Sequence, residues 1–311
     1  MLRMRRTGLA MILGVGVLAG PWRALWPGSV PSAAFRTAIN SPATVSHGSK
    51  PTRIRTSSAP ALLAAHGESE PVLHLPVRLP RRRVVLPILM YHRIDRITPD
   101  LPSITRALTV DPADFAGQMG WIKTHGYHTV TQIELWNALM HGRALPPHPV
   151  LITFDDAYRD VVTYAAPVLW REHEHATAYV ITDRLSHGRI SPWMLWSQLP
   201  LLERDGFDIG SHTVSHADLV AAGPIKARFE LRASRFALQR YLHEPVQSLA
   251  YPYGRVDSTV ERLARAAGYV LAVTTQAGVV QGASAPLLLH REEVTGTMGV
   301  AGLASLLTSS H

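Results

Sequence analysis

Cysteine is missing from the 311-residue chain. That absence excludes a disulfide framework, a cysteine nucleophile and any thiolate-held metal. A metal site here has to be built from His, Asp and Glu. Acids are scarce in one part only. Residues 1–83 hold 12 Lys/Arg and two acids, Glu68 and Glu70, whereas residues 84–311 hold 19 Lys/Arg and 21 Asp/Glu. The formal charge of +8 is therefore a leader at +10 joined to a body at −2. The body does not carry the positive surface that a nucleic-acid partner requires, and none is expected. At 46% hydrophobic and 17% charged, the composition is globular, which rules out collagen, a disordered polymer and a multi-span membrane protein.

Arg3, Arg5 and Arg6 precede residues 7–22, which carry no charge and are rich in Leu, Val, Ala and Gly. A basic start followed by an apolar run is the pattern of an export signal. Sixteen residues span roughly 24 Å as helix, short of the ~30 Å hydrocarbon core. We read residues 1–26 as a signal peptide or membrane anchor, with small-x-small cleavage sites at Val17-Leu18-Ala19 and Ser32-Ala33-Ala34. Residues 27–83, rich in Pro, Ser and Ala and ending in Arg81-Arg82-Arg83, read as a flexible linker. The remaining domain spans residues 84–311.

In that domain short β-branched runs alternate with amphipathic stretches. Strands are expected over residues 84–91, 127–131, 149–156, 176–182, 208–211, 248–251, 269–274 and 287–290. Helices are expected over 111–125, 132–141, 158–172, 193–204, 225–242 and 258–267. Repeated β-α-β units imply an α/β protein with a parallel sheet, open or closed as a barrel, with its active groups at the carboxyl ends of the strands.

Polar residues stand at several of those ends. Leu151-Ile152-Thr153-Phe154 closes with Asp155 and Asp156. Consecutive strand residues face opposite ways, so both acids serve one site only if the chain turns immediately after them. Adjacent carboxylates also argue against a glycosidase pair, which needs them about 5 to 10 Å apart. His212 and His216 follow another strand with i, i+4 spacing, which puts two imidazoles on one face of a helical turn. Asp155 or Asp156 supplies the third ligand, leaving the other free as a base. Two imidazoles, one carboxylate and an open position make a hydrolytic zinc site. Further strand ends carry His92, the segment Tyr251-Pro252-Tyr253-Gly254, whose aromatics suit a sugar ring, and His290-Arg291.

In this order the segments resemble the polysaccharide deacetylase family, also called the NodB-homology domain or carbohydrate esterase family 4. Thr153-Phe154-Asp155-Asp156 resembles its T-F-D-D-G motif, Ser211-His212-Thr213-Val214-Ser215-His216 its H-[ST]-x-x-H motif, and Ala250-Tyr251-Pro252-Tyr253-Gly254 its aromatic-Pro segment. Met90-Tyr91-His92 and Leu289-His290-Arg291 are similar to the subgroup that contains poly-N-acetylglucosamine deacetylases. The resemblance covers about residues 84–295. It implies a distorted (β/α) barrel that removes N-acetyl groups from an extracytoplasmic N-acetylglucosamine-type polysaccharide, as an exported monomer with a divalent metal, zinc first. It assigns Asp155 as general base and Asp156, His212 and His216 as metal ligands. The Tyr253 N–H becomes an oxyanion donor, Tyr251 and Pro252 substrate contacts, and Arg291 the group that orients Asp155. The general acid is His92, preferred over His290 because His290 stands where the subgroup has Pro. Ala157 departs from the family's glycine, which keeps a non-catalytic carbohydrate-binding relative as one alternative; an O-acetyl esterase, which shares the site and needs less of a general acid, is another.

Overall fold

The computed structural model describes residues 79–188 and 191–309. The leader over residues 1–26 and the linker as far as residue 78 lie outside the described residues. At the domain's start Arg83 opens the first strand, and the Arg82 guanidinium donates to the Met140 carbonyl at 2.6 Å.

Strand β1 (Arg83–Val85) is followed by β2 (Ile88–Tyr91), β3 (Arg93–Ile94), helix α1 (Ser103–Ala107), β4 (Thr109–Val110), α2 (Pro112–Thr124), β5 (His128–Thr129) and α3 (Gln132–His141). Next come β6 (Pro149–Phe154), α4 (Ala166–Glu172), β7 (Ala176–Val180), α5 (Leu199–Arg204), β8 (Phe207–Ser211) and α6 (Gly223–Leu242). The chain ends with β9 (Ser248–Ala250), α7 (Ser258–Ala267), β10 (Leu271–Val273), β11 (Val280–Gly282), β12 (Glu292–Glu293) and α8 (Val300–Thr308). Helix starts follow the local chemistry. Asp111 caps α2 through the Ala113 N–H with Pro112 behind it, and Thr131 and Glu134 form a reciprocal capping box on α3.

The main sheet runs β10-β9-β8-β7-β6-β2-β12, parallel throughout, with β5 beside the start of β6. Its two ends meet. Leu289 bridges Val273 of β10, and β12 three residues later pairs with β2, so residues 289–293 curl the sheet into the expected distorted barrel. Alternate residues separate two buried layers. Ile88, Leu151, Tyr179, Ala250, Leu271 and Leu289 pack together inside, while Leu89, Tyr91, Ile152 and Phe154 face outward onto helix residues such as Phe115 and Met119.

Several expected elements differ. The strand over residues 84–91 is two strands, because Pro87 has no N–H to give; β1 pairs antiparallel with β11 instead of entering the barrel. The helix over 158–172 is a wider π turn, Val161–Ala165, followed by α4, since Pro167 cannot bond back to residue 163. The helix over 193–204 starts late: residues 193–195 are extended, Trp196–Gln198 makes a 3-10 turn and α5 supplies the rest. The Met194 N–H donates to the Ala157 carbonyl at 2.8 Å, and Trp193 bridges Tyr158. Residues 287–290 make only the isolated bridge at Leu289.

Candidate active site

The inward layer leads to Asp155. Leu151 points into the barrel, so Thr153 and Asp155 do as well, and the Asp155 N–H is fixed by the Tyr91 carbonyl at 2.9 Å. Its carboxylate receives a two-pronged contact from the buried Arg291, Nη1 to Oδ1 at 2.8 Å and Nη2 to Oδ2 at 2.7 Å. Arg291 in turn donates from Nε to the Thr274 carbonyl at 2.8 Å and from Nη1 to Thr153 Oγ1 at 3.2 Å. Burial alone would raise the Asp155 pKa. The Arg291 and His212 charges and the Arg291 hydrogen bonds overcome it and hold the carboxyl well below the usual range. Asp155 is thus a fixed anion at neutral pH.

The chain then makes the turn that two adjacent acids require. Asp156 has φ +74° and Ala157 φ +61°. On a straight strand Asp156 would face the outer layer; the two left-handed residues swing it onto the rim instead. Its Oδ1 lies 3.6 Å from His212 Nε2 and 3.5 Å from His216 Nε2. Burial and the neighbouring Asp155 charge push its carboxyl up to about 7, against the pull of Arg184 and Arg291.

Ala157 does sit where glycine would be at ease. A left-handed Cβ costs roughly 1–2 kcal/mol, and its buried methyl returns about 0.8 kcal/mol. Ala157→Gly is therefore expected to change stability by less than about 1 kcal/mol, read from urea unfolding. A loss above that would show that methyl packing, not backbone freedom, holds the aspartate loop.

The two histidines converge without the expected helical turn. Residues 212–218 form an irregular loop with Thr213 at φ +68° and His216 at φ +59°. Buried Glu230 of α6 replaces the missing helical bonds, accepting from the Val214 and Ser215 N–H groups at 2.9 Å each and from Ser215 Oγ at 2.7 Å. His212 Nδ1 lies 2.8 Å from the Ala250 carbonyl, so Nδ1 carries the proton and Nε2 is the free donor atom. Burial lowers the pKa of both rings, His212 to about 4, although Asp155 pulls the other way. Two neutral imidazoles and a carboxylate, with donor atoms within 4.8 Å of one another, fit a divalent cation.

His92, just past β2, is held below its ordinary pKa by burial, against the opposing charge of Asp155. Its buried Nδ1 has no hydrogen-bond partner among the described residues. His290 lies elsewhere, with Nδ1 3.2 Å from the Ala277 carbonyl. The expectation for Tyr251 and Pro252 is corrected. Both are buried, Tyr251 completely, so neither can wall a sugar. Left-handed Tyr253 (φ +59°) turns its ring outward; it is 62% exposed and stands 4.6 Å from the His216 ring.

Arg184, Trp193 and Glu230 were not expected at the site. A cleft of about 580 Å³ beside the histidine loop is lined by Arg184, Trp193 and Ser215. The Arg184 guanidinium covers the Trp193 ring at 4.5 Å, and the Tyr158 ring lies nearly parallel to it at 6.4 Å. Arg184 closes the 3-10 turn Thr182–Arg184, four residues past β7 in the loop that leaves that strand's carboxyl end. Glu230 was detectable, as an acid on the buried face of α6 beside Ala227, Leu231 and Ser234.

A parallel barrel with charged and imidazole groups gathered at one rim is the architecture of an enzyme active site. Residues 142–272 match the polysaccharide deacetylase family. YxkH of Bacillus subtilis, named as a polysaccharide deacetylase, is 30% identical over 224 residues, 72% of this chain and 76% of that protein. Poly-β-1,6-N-acetyl-D-glucosamine N-deacetylase of Staphylococcus epidermidis is 27% identical over 188 residues, 54% of this chain and 65% of that one. Among solved structures, the Streptococcus pyogenes deacetylase PplD in complex with acetate superposes with a TM-score of 0.67 at 30% identity, over 73% of this chain and 99% of that one. The chain belongs to the polysaccharide deacetylase family, hydrolases that act on the acetyl groups of polysaccharides.

Proposed function

We propose that the protein removes N-acetyl groups from an N-acetylglucosamine-type polysaccharide outside the cytoplasm. The observation that carries this reading is the Asp156–His212–His216 donor set beside an ionised, arginine-held Asp155. Asp156 Oδ1 and the two imidazole Nε2 atoms would hold a divalent cation, with zinc the first choice for this donor set. Such a cation supplies a Lewis acid that polarises the acetyl carbonyl and makes water more acidic.

The chain's own residues do the rest. Asp155 takes the proton of the attacking water, for which it must be ionised before substrate arrives. The Tyr253 N–H gives a hydrogen bond to the oxygen on which negative charge develops. Breaking the C–N bond needs a proton on nitrogen, because an amide anion is a very poor leaving group. His92, neutral at rest, receives the proton that Asp155 has taken from water and delivers it to nitrogen, which leaves Asp155 ionised for the next cycle. The products are acetate and a sugar amine. The exposed Tyr253 ring offers an apolar face for a neighbouring sugar. The staphylococcal relative's name supports an N-acetylglucosamine polymer, and the basic-then-apolar leader supports export.

The test is acetate release by the purified chain from N-acetylglucosamine oligomers and, in parallel, from O-acetylated xylan. Release from the oligomers is expected, and release from xylan alone would replace the reading with an esterase. Chelation is expected to reduce turnover by about a hundredfold or more, with recovery when zinc is added back. Full activity in the chelated protein would remove the metal from the mechanism.

A further inference from the structure

Helix α6 buries Ala227, Leu231, Leu238 and Leu242 against the body of the protein. Its opposite face is also apolar. Ile225 is 89% exposed, Phe229 58% and Phe236 65%. At 100° per residue these three fall within about 40° of one another, on one line along the outside of the helix. Single exposed apolar residues are ordinary, but a line of three large ones marks a surface that meets something.

Its rim indicates what that is. Arg228, Arg232 and Arg240 are exposed on the same side, and among the described residues none is paired with a carboxylate. The helix has one acid, Glu230, which is buried and occupied by Lys226 and the histidine loop. Arg235, the remaining arginine, is tied to the Val246 and Ala267 carbonyls. A soluble anionic polymer would satisfy the arginines and leave the phenylalanines wet. A second copy packed symmetrically would cover the phenylalanines but set three arginines against their own counterparts. An anionic bilayer surface satisfies both: phosphates meet the guanidinium groups while the apolar line enters the headgroup–acyl boundary.

We infer that the outer face of α6 docks on a bilayer of anionic phospholipid, through Ile225, Phe229 and Phe236 flanked by Arg228, Arg232 and Arg240. The inner face of the same helix holds the loop between His212 and His216 through Glu230, so one rigid element sets both the membrane contact and the orientation of the rim. The inference does not depend on the reaction catalysed.

The chain's lack of cysteine makes the test direct. Phe236→Cys in the full chain gives a single attachment point for a polarity-sensitive fluorophore, and Ser305→Cys on α8 is the control. With phosphatidylcholine vesicles containing phosphatidylglycerol, the probe at 236 is expected to shift to the blue and to be quenched by acyl-chain quenchers. The probe at 305 should keep its aqueous emission. Adding Arg228→Glu, Arg232→Glu and Arg240→Glu should raise the lipid concentration for half-maximal shift by about a hundredfold. Reading the probe, not sedimentation, keeps any contribution of residues 1–26 out of the answer. Aqueous emission at 236 in protein that sediments with the vesicles would overturn the inference. So would an equal shift at 305, or a shift without lipid that grows with protein concentration, which would identify a second copy as the occupant.

Discussion

Asp155→Asn is expected to lower acetate release by about a thousandfold or more, the scale of a lost general base, while the metal content of the protein is unchanged. Geometry separates the roles of the adjacent carboxylates. Both Asp155 oxygens are engaged by Arg291 inside the barrel, whereas Asp156 Oδ1 faces His212 Nε2 and His216 Nε2 at 3.6 and 3.5 Å. An amide at 155 retains the shape and still accepts a hydrogen bond from Arg291, but its oxygen is not a base. Asp156→Asn should reverse the pattern, losing metal first and turnover in consequence. Metal analysis of the two variants beside their initial rates makes the comparison. Loss of metal from Asp155→Asn with retention in Asp156→Asn would exchange the two assignments.

Much of this site was legible because its groups lie in short contiguous segments at strand ends. A parallel barrel collects such ends on one rim, so order along the chain translated into proximity in space. What failed to translate was backbone conformation inside each segment. The i, i+4 spacing of His212 and His216 suggested a helix, yet the same convergence is reached by a loop with two left-handed residues, supported by Glu230 from fourteen positions beyond His216. Tyr251 and Tyr253 are two residues apart and equally aromatic. One lies wholly in the core and the other turns outward, and the difference rests on one positive φ that the residue type does not announce. Local periodicity also could not show that residues 193–195 would be held extended by Tyr158 and Ser186, since those partners come from other loops. The outer arginines of α6 and its buried Glu230 sit in one helical pattern. Only burial distinguishes a positioning acid from a solvated charge.

Arg291→Met is expected to destabilise the fold by about 3–5 kcal/mol, because it leaves Asp155 as an uncompensated buried charge. Arg291 is nearly inaccessible and stands inside the barrel, its guanidinium 5.9 Å from the Tyr179 ring centre. No water can readily replace its two bonds to Asp155 and the one to the Thr274 carbonyl. Attraction within the pair need not make it a net source of stability, since desolvating two ions costs several kcal/mol each. Arg291→Met combined with Asp155→Leu should therefore recover most of the loss, or exceed the parent, while remaining inactive. Urea unfolding in chelator compares the proteins without any contribution from bound metal. Arg291→Lys completes the series: it keeps a charge near Asp155 but cannot engage both oxygens in one plane. Its kcat should fall with little change in KM if Arg291 aims the base and does not touch substrate. A large rise in KM with unchanged kcat would move Arg291 from positioning Asp155 to binding the polysaccharide. Full recovery of activity in the Met–Leu double variant would remove both residues from the mechanism.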